Sequence, residues 1–64
     1  MKLNGKIVET KPGETLLSLL EALGHKPERV AAELNGVIVP REKFAATKLY
    51  DEDTLEVVCF VGGG

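Results

Sequence analysis

The apolar positions change period along the chain. They alternate loosely over the first residues, take up a three-and-four spacing over residues 15–23, and alternate again from Val30. The opening stretch, Lys2-Leu3-Asn4-Gly5-Lys6-Ile7-Val8, predicts two short strands joined at Asn4-Gly5. Both central residues of a two-residue type I′ turn need positive φ, which Asn and Gly adopt most readily. That loop length sets Leu3 opposite Lys6 and Met1 opposite Val8 on one face and leaves Ile7 on the other, an imperfect alternation. Lys11-Pro12-Gly13-Glu14 ends the strand, and Leu16, Leu19, Leu20 and Leu23 then give the i, i+3, i+4, i+7 stripe of an amphipathic helix. The helix is expected over Thr15 to Leu23, with the Thr15 hydroxyl accepting from free amides of the first turn. Gly24 stands where a left-handed residue closes a helix, and Pro27 opposes its resumption.

A second hairpin is predicted in Val30-Ala31-Ala32-Glu33-Leu34, Asn35-Gly36, Val37-Ile38-Val39. A two-residue loop here pairs Leu34 with Val37 and Ala32 with Val39. Val30, Ala32, Leu34, Val37 and Val39 then share one apolar face and Glu33 points away, while Pro40 ends the strand or holds it at a sheet edge. Residues 42–46 suit one helical turn anchored by Phe44, and Asp51-Glu52-Asp53 reads as an acidic, solvated turn. The last strand, Leu55 to Val61, is expected to turn Leu55, Val57 and Cys59 to the core and Val58 and Phe60 to the opposite face. One amphipathic helix against one sheet is a two-layer α+β domain, with the most apolar strand, the last, in the middle. The expected division is one domain over residues 1–61 and a flexible glycine tail, Gly62, Gly63 and Gly64.

Composition narrows this further. Sixty-four residues, 44% hydrophobic and 28% charged, fit one small domain whose core is marginal. Eight basic and ten acidic residues leave no basic footprint, which argues against a nucleic-acid partner. A single cysteine allows no internal disulfide, and one cysteine with one histidine offers no zinc site. No apolar run is long enough to span a bilayer, and Met1 to Thr10 lack a signal-peptide pattern. No membrane association and a cytoplasmic setting are the expectation. So little space also argues against a wholly internal active site.

Most catalytic chemistry is missing. His25 follows the helix in a polar loop and suits a surface or capping role, with no nucleophile beside it in sequence. Cys59, at an inward strand position, suits a small buried hydrophobe better than a redox or sulfur-transfer group. Neither Asn-Gly pair is a phosphate loop, since no helix start follows it.

Gly62-Gly63-Gly64 is different. At an average glycine usage of about 7%, chance places three there roughly three times in ten thousand. A frayed end is one reading. The other starts from the missing Cβ: such a tail enters a channel too narrow for side chains and carries the Gly64 carboxylate about 10 Å beyond the strand. That carboxylate is ionised at neutral pH and a poor electrophile, so it needs activation, usually as an acyl-adenylate made with ATP.

Several stretches resemble the sulfur-carrier proteins of thiamine biosynthesis, a ubiquitin-like β-grasp family: Leu3-Asn4-Gly5, Pro12 to Gly24, Arg29 to Arg41 and Val61 to Gly64. The run from Val30 to Arg41 is the more specific part, and a terminal Gly-Gly is shared by the wider group. The departure is a third glycine before the terminal pair. The resemblance implies a mixed sheet of four to five strands with one helix packed across it. It also implies a protein co-substrate with no cofactor or metal of its own. In such a role a ubiquitin-activating-like enzyme, using ATP and magnesium, adenylates the carboxylate on Gly64. A cysteine desulfurase relay supplies sulfur to make a thiocarboxylate, and thiazole synthase receives it. Val58, Phe60 and Val61 are expected to form the apolar centre of a shared docking surface, with Asp51 to Asp53 at its rim. Phe60 covered by the chain's own loops is the structural alternative. The small subunit of molybdopterin synthase, a ubiquitin-like protein modifier and a non-covalent β-grasp binding module are the competing functions.

Overall fold

The computed structural model describes residues 1–60; Val61, Gly62, Gly63 and Gly64 lie outside the described residues. Two short strands, β1 (Lys2–Leu3) and β2 (Lys6–Ile7), precede the helix α1 (Leu16–Ala22). A 3-10 turn over Pro27–Arg29 leads into β3 (Val30–Leu34) and β4 (Val37–Ile38). A second 3-10 segment, Arg41–Ala46, precedes the last strand, β5 (Thr54–Cys59). The five strands form one sheet in the order β2-β1-β5-β3-β4. Because β5 runs parallel to β1 and antiparallel to β3, the sheet is mixed, and its last strand is central as the sequence predicts. This is the β-grasp arrangement.

Both hairpins adopt the predicted register. Leu3 faces Lys6, and Met1 and Val8 exchange backbone hydrogen bonds. Leu34 faces Val37, and the Val39 amide donates to the Ala32 carbonyl. Asn4 and Asn35 sit at φ 50° and 52°, each followed by a glycine of positive φ. That is the twist a two-residue hairpin turn demands.

Thr15 caps α1 through a capping box in which Ser18 takes the place of the usual Glu: each hydroxyl accepts from the other residue's backbone amide. At the other end Gly24, at φ 83°, closes a Schellman turn, with the His25 amide donating to Leu20 and the Gly24 amide to Glu21. Seven residues are too few for an independent helix, so tertiary packing holds it. Leu16, Leu19 and Leu20 are buried against Val30, Ala32 and Leu55 of the sheet, with Met1, Phe44 and Leu49 completing the core. Phe44 anchors its segment as predicted. Leu49 depends on pairing the sequence pattern does not signal: residues 47–49 bridge to 14–16, with the Leu16 amide donating to Thr47 and the Leu49 amide to Glu14.

Three expected placements are corrected. Leu23 is 49% exposed rather than buried, because it is the C-cap, where the chain leaves the helical path into the Gly24 turn. Cys59 is exposed: it keeps the alternation of Leu55 and Val57, but the chain facing it is the loop after α1, at His25, rather than the helix. Val37, assigned to the apolar face of its hairpin, is 66% exposed, since β4 is an edge strand of only two residues at the hairpin tip.

Candidate docking face and central strand

The central strand is gripped from both sides by the asparagines of the two hairpin turns. The Asn4 backbone amide donates to the Leu55 carbonyl, and the side chain carries the pairing one step further along β5: Oδ1 accepts from the Val57 amide and Nδ2 donates to the Val57 carbonyl. On the other side Asn35 accepts from the Thr54 amide through Oδ1, donates to an Asp53 carboxylate oxygen through Nδ2, and donates its own backbone amide to the Thr54 carbonyl. The second Asp53 oxygen accepts from the Tyr50 amide. Asp53 is only 9% exposed, which corrects the reading of Asp51 to Asp53 as one solvated turn. A carboxylate at a tight turn accepts local donors better than water can once the neighbours close in, and those bonds meet its desolvation cost. Asp51 and Glu52 alone are exposed there.

Beyond Val57 the strand continues to the edge of the described residues. The Phe60 amide donates to the Arg29 carbonyl at 2.8 Å, so the ladder with β3 reaches the last residue before the glycines' own neighbour, Val61. Val58 and Phe60 are 61% and 55% exposed, and among the described residues no loop covers Phe60. The face they occupy also holds Ala31, the register partner of Val58, and Ile38 on β4. It further holds Glu33 and Glu56, which face one another across β3 and β5. The sequence reading missed this pair. Glu33 could be placed outward from its own hairpin, but the β3–β5 register that sets it against Glu56 joins segments with no turn between them to fix it.

On the opposite side of the strand, His25 Nδ1 lies 3.4 Å from Cys59 Sγ, at an open hollow of about 370 Å³ bordered by Lys26, Arg29 and Phe60. The two side chains set aside separately in the sequence thus meet in space. Among the described residues no group of three or more His, Cys, Asp or Glu side chains could hold a metal ion. No helix among them is long and apolar enough to cross a membrane. Val61, Gly62, Gly63 and Gly64 lie outside the described residues. The geometry is a central strand held from both sides by side-chain hydrogen bonds, beside a face on which Val58, Phe60 and Ile38 are exposed.

The model of the ThiS family matches residues 1–64. A sulfur carrier protein ThiS of Bacillus subtilis is 37% identical over 65 residues, covering 100% of this chain and 98% of its own length. A thiazole synthase of Magnetococcus marinus is 45% identical over 62 residues, 97% of this chain, which spans only 19% of the length of that relative. Among solved structures, the crystal structure of a thiamine biosynthesis protein, ThiS, from Geobacter metallireducens superposes with a TM-score of 0.77 at 38% identity. That match covers 98% of this chain and 96% of the other.

Proposed function

The chain belongs to the ThiS family, and from that premise we propose that it is a sulfur carrier of thiamine biosynthesis whose reacting group is the carboxylate of Gly64. The observation that carries the reading is the family match from end to end, glycine tail included. In this role the protein is a co-substrate rather than a catalyst. A carboxylate oxygen attacks the α-phosphorus of ATP on an adenylating enzyme, which supplies the magnesium, and pyrophosphate leaves. The outer sulfur of a desulfurase-derived persulfide then attacks the acyl carbon and expels AMP. A further thiol cleaves the resulting acyl disulfide, leaving a thiocarboxylate on Gly64 and a disulfide on the thiols. Thiazole synthase takes the sulfur from that thiocarboxylate.

The chain's own contribution is presentation. The Asn4 and Asn35 side chains fix β5, the Phe60–Arg29 bond fixes its end, and a tail without side chains is suited to a narrow channel. Val58 and Phe60, with Val61, supply the apolar centre of the surface that holds each partner in turn. Burial of each contributes about 1.5–3 kcal/mol. That a thiazole synthase contains a segment 45% identical to this chain supports pairing the two activities.

The test is ATP–pyrophosphate exchange catalysed by the adenylating enzyme of the same organism. Deleting Gly64 is expected to abolish exchange without changing the carrier's melting temperature, and unchanged exchange would overturn the proposal. Intact-mass analysis of protein isolated from its host gives a direct second readout: one oxygen replaced by sulfur at the C-terminus.

A further inference from the structure

The open face of the sheet sets two like charges against each other. Glu33 on β3 and Glu56 on β5 are direct register partners, and both are exposed. Like charges directly opposite on neighbouring strands destabilise a sheet, so this pair works against the fold that carries it. Around the pair the face is apolar: Ala31 and Val58 form the adjacent rung, and Ile38 lies opposite Glu33 on β4. These side chains border a depression of about 110 Å³. Small-molecule sites occupy about 300–1,000 Å³, and this depression, well below that range, is of side-chain size. The cations nearest in register are Lys2, opposite Thr54 and so diagonal to Glu56 on the neighbouring strand, and Arg29, beside Phe60 and farther along the ladder; neither stands directly opposite a member of the pair. On the β3–β5 ladder, the residue opposite each glutamate is the other glutamate.

A protein that buries Val58 and Phe60 also takes water from both carboxylates. Buried charges without partners are costly, so that protein must bring a cation to this spot. A guanidinium meets the geometry better than an ammonium. Its planar fork of five donors can bond two carboxylates at once, it is weakly hydrated, and arginine is enriched at interface cores where lysine is depleted. Resting on the docking reading above, we propose that the Glu33–Glu56 depression receives an arginine side chain of thiazole synthase when the carrier docks to deliver sulfur. The apolar rim supplies contact area, and the acidic pair supplies the selection. A partner surface with an apolar residue at that point would leave two carboxylates buried and unpaired.

The experiment measures equilibrium binding of the full-length carrier to thiazole synthase of the same organism over a salt series. It compares wild type, the double variant Glu33→Gln/Glu56→Gln, and Phe60→Ala. The double variant is expected to bind at least ten-fold more weakly and with a shallower salt dependence, while the free carrier melts at a higher temperature because the repulsion is gone. Affinity equal to or tighter than wild type overturns the inference. Phe60→Ala separates that failure from a wider one. If it weakens binding while the double variant does not, the face docks without a basic residue at this spot. If neither weakens binding, the docking reading fails as well.

Discussion

Asn4 and Asn35 each do two things that their residue type links. A short amide side chain tolerates positive φ and so allows the hairpin turn, and the same shortness lets it reach the central strand as a substitute backbone. Replacement by glycine separates the roles, since glycine keeps the turn and loses the amide. Asn35→Gly is expected to destabilise by about 1–3 kcal/mol, the cost of leaving the nearly buried Asp53 carboxylate short of a donor. Chemical denaturation measures it, and a loss within a few tenths would show that only the turn conformation matters. The dipeptide is legible in the sequence as a turn. Its second role is not, because the side chain's partners lie 18 to 53 residues away in sequence. The same distance hides the meeting of His25 with Cys59. With Cys59 exposed, Cys59→Ser is expected to keep the protein's stability nearly unchanged and to retain sulfur loading on Gly64, read by thermal melting and by intact mass.

Among the elements, α1 is the one most fully legible and the least able to stand by itself. Its leucine stripe as far as Leu20, its threonine cap and its terminal glycine are local signals that are observed, while Leu23 falls outside the packed face. A helix of seven residues nonetheless exists only through tertiary packing, with Leu16, Leu19 and Leu20 buried against the sheet and Leu16 and Leu20 fully so. Leu20→Ala is expected to cost about 2–5 kcal/mol through lost burial and a residual cavity, a large share of the roughly 5–15 kcal/mol that holds a domain together. Leu23→Ala, at the half-exposed C-cap, is expected to cost well under half as much, with both variants measured by urea titration. Equal costs would mean that the stripe packs along its whole length. β5 shows the limit of periodicity in another way. Alternation sorts its residues correctly by side, yet side is not burial: Leu55 is enclosed, Val57 half-buried and Cys59 open as the covering layer thins toward the strand's end.

For the whole molecule, two demands divide the sheet between its faces. The inner face builds the core with the helix; the outer face leaves Val58, Phe60 and Ile38 in water beside the strand that leads to the glycines. Phe60→Ala is accordingly expected to leave the fold intact while weakening the complexes with the adenylating enzyme and with thiazole synthase by similar factors. Binding measured for each partner checks this, and loss toward one partner alone would show that the surface is not shared. On the proposed function, sharing one surface also requires the carrier to dissociate between loading and delivery, so each affinity is expected to be modest. The sequence by itself determined the helix with its caps, the five strands and both hairpin registers, because each follows from neighbours within about ten residues. Only the tertiary structure decided the β3–β5 register that opposes Glu33 to Glu56, the burial of Asp53, the pairing of residues 47–49 with 14–16, and the contact of Cys59 with His25. These join segments whose relative placement depends on how the layers pack, and local periodicity records which side a residue takes but not what waits on that side.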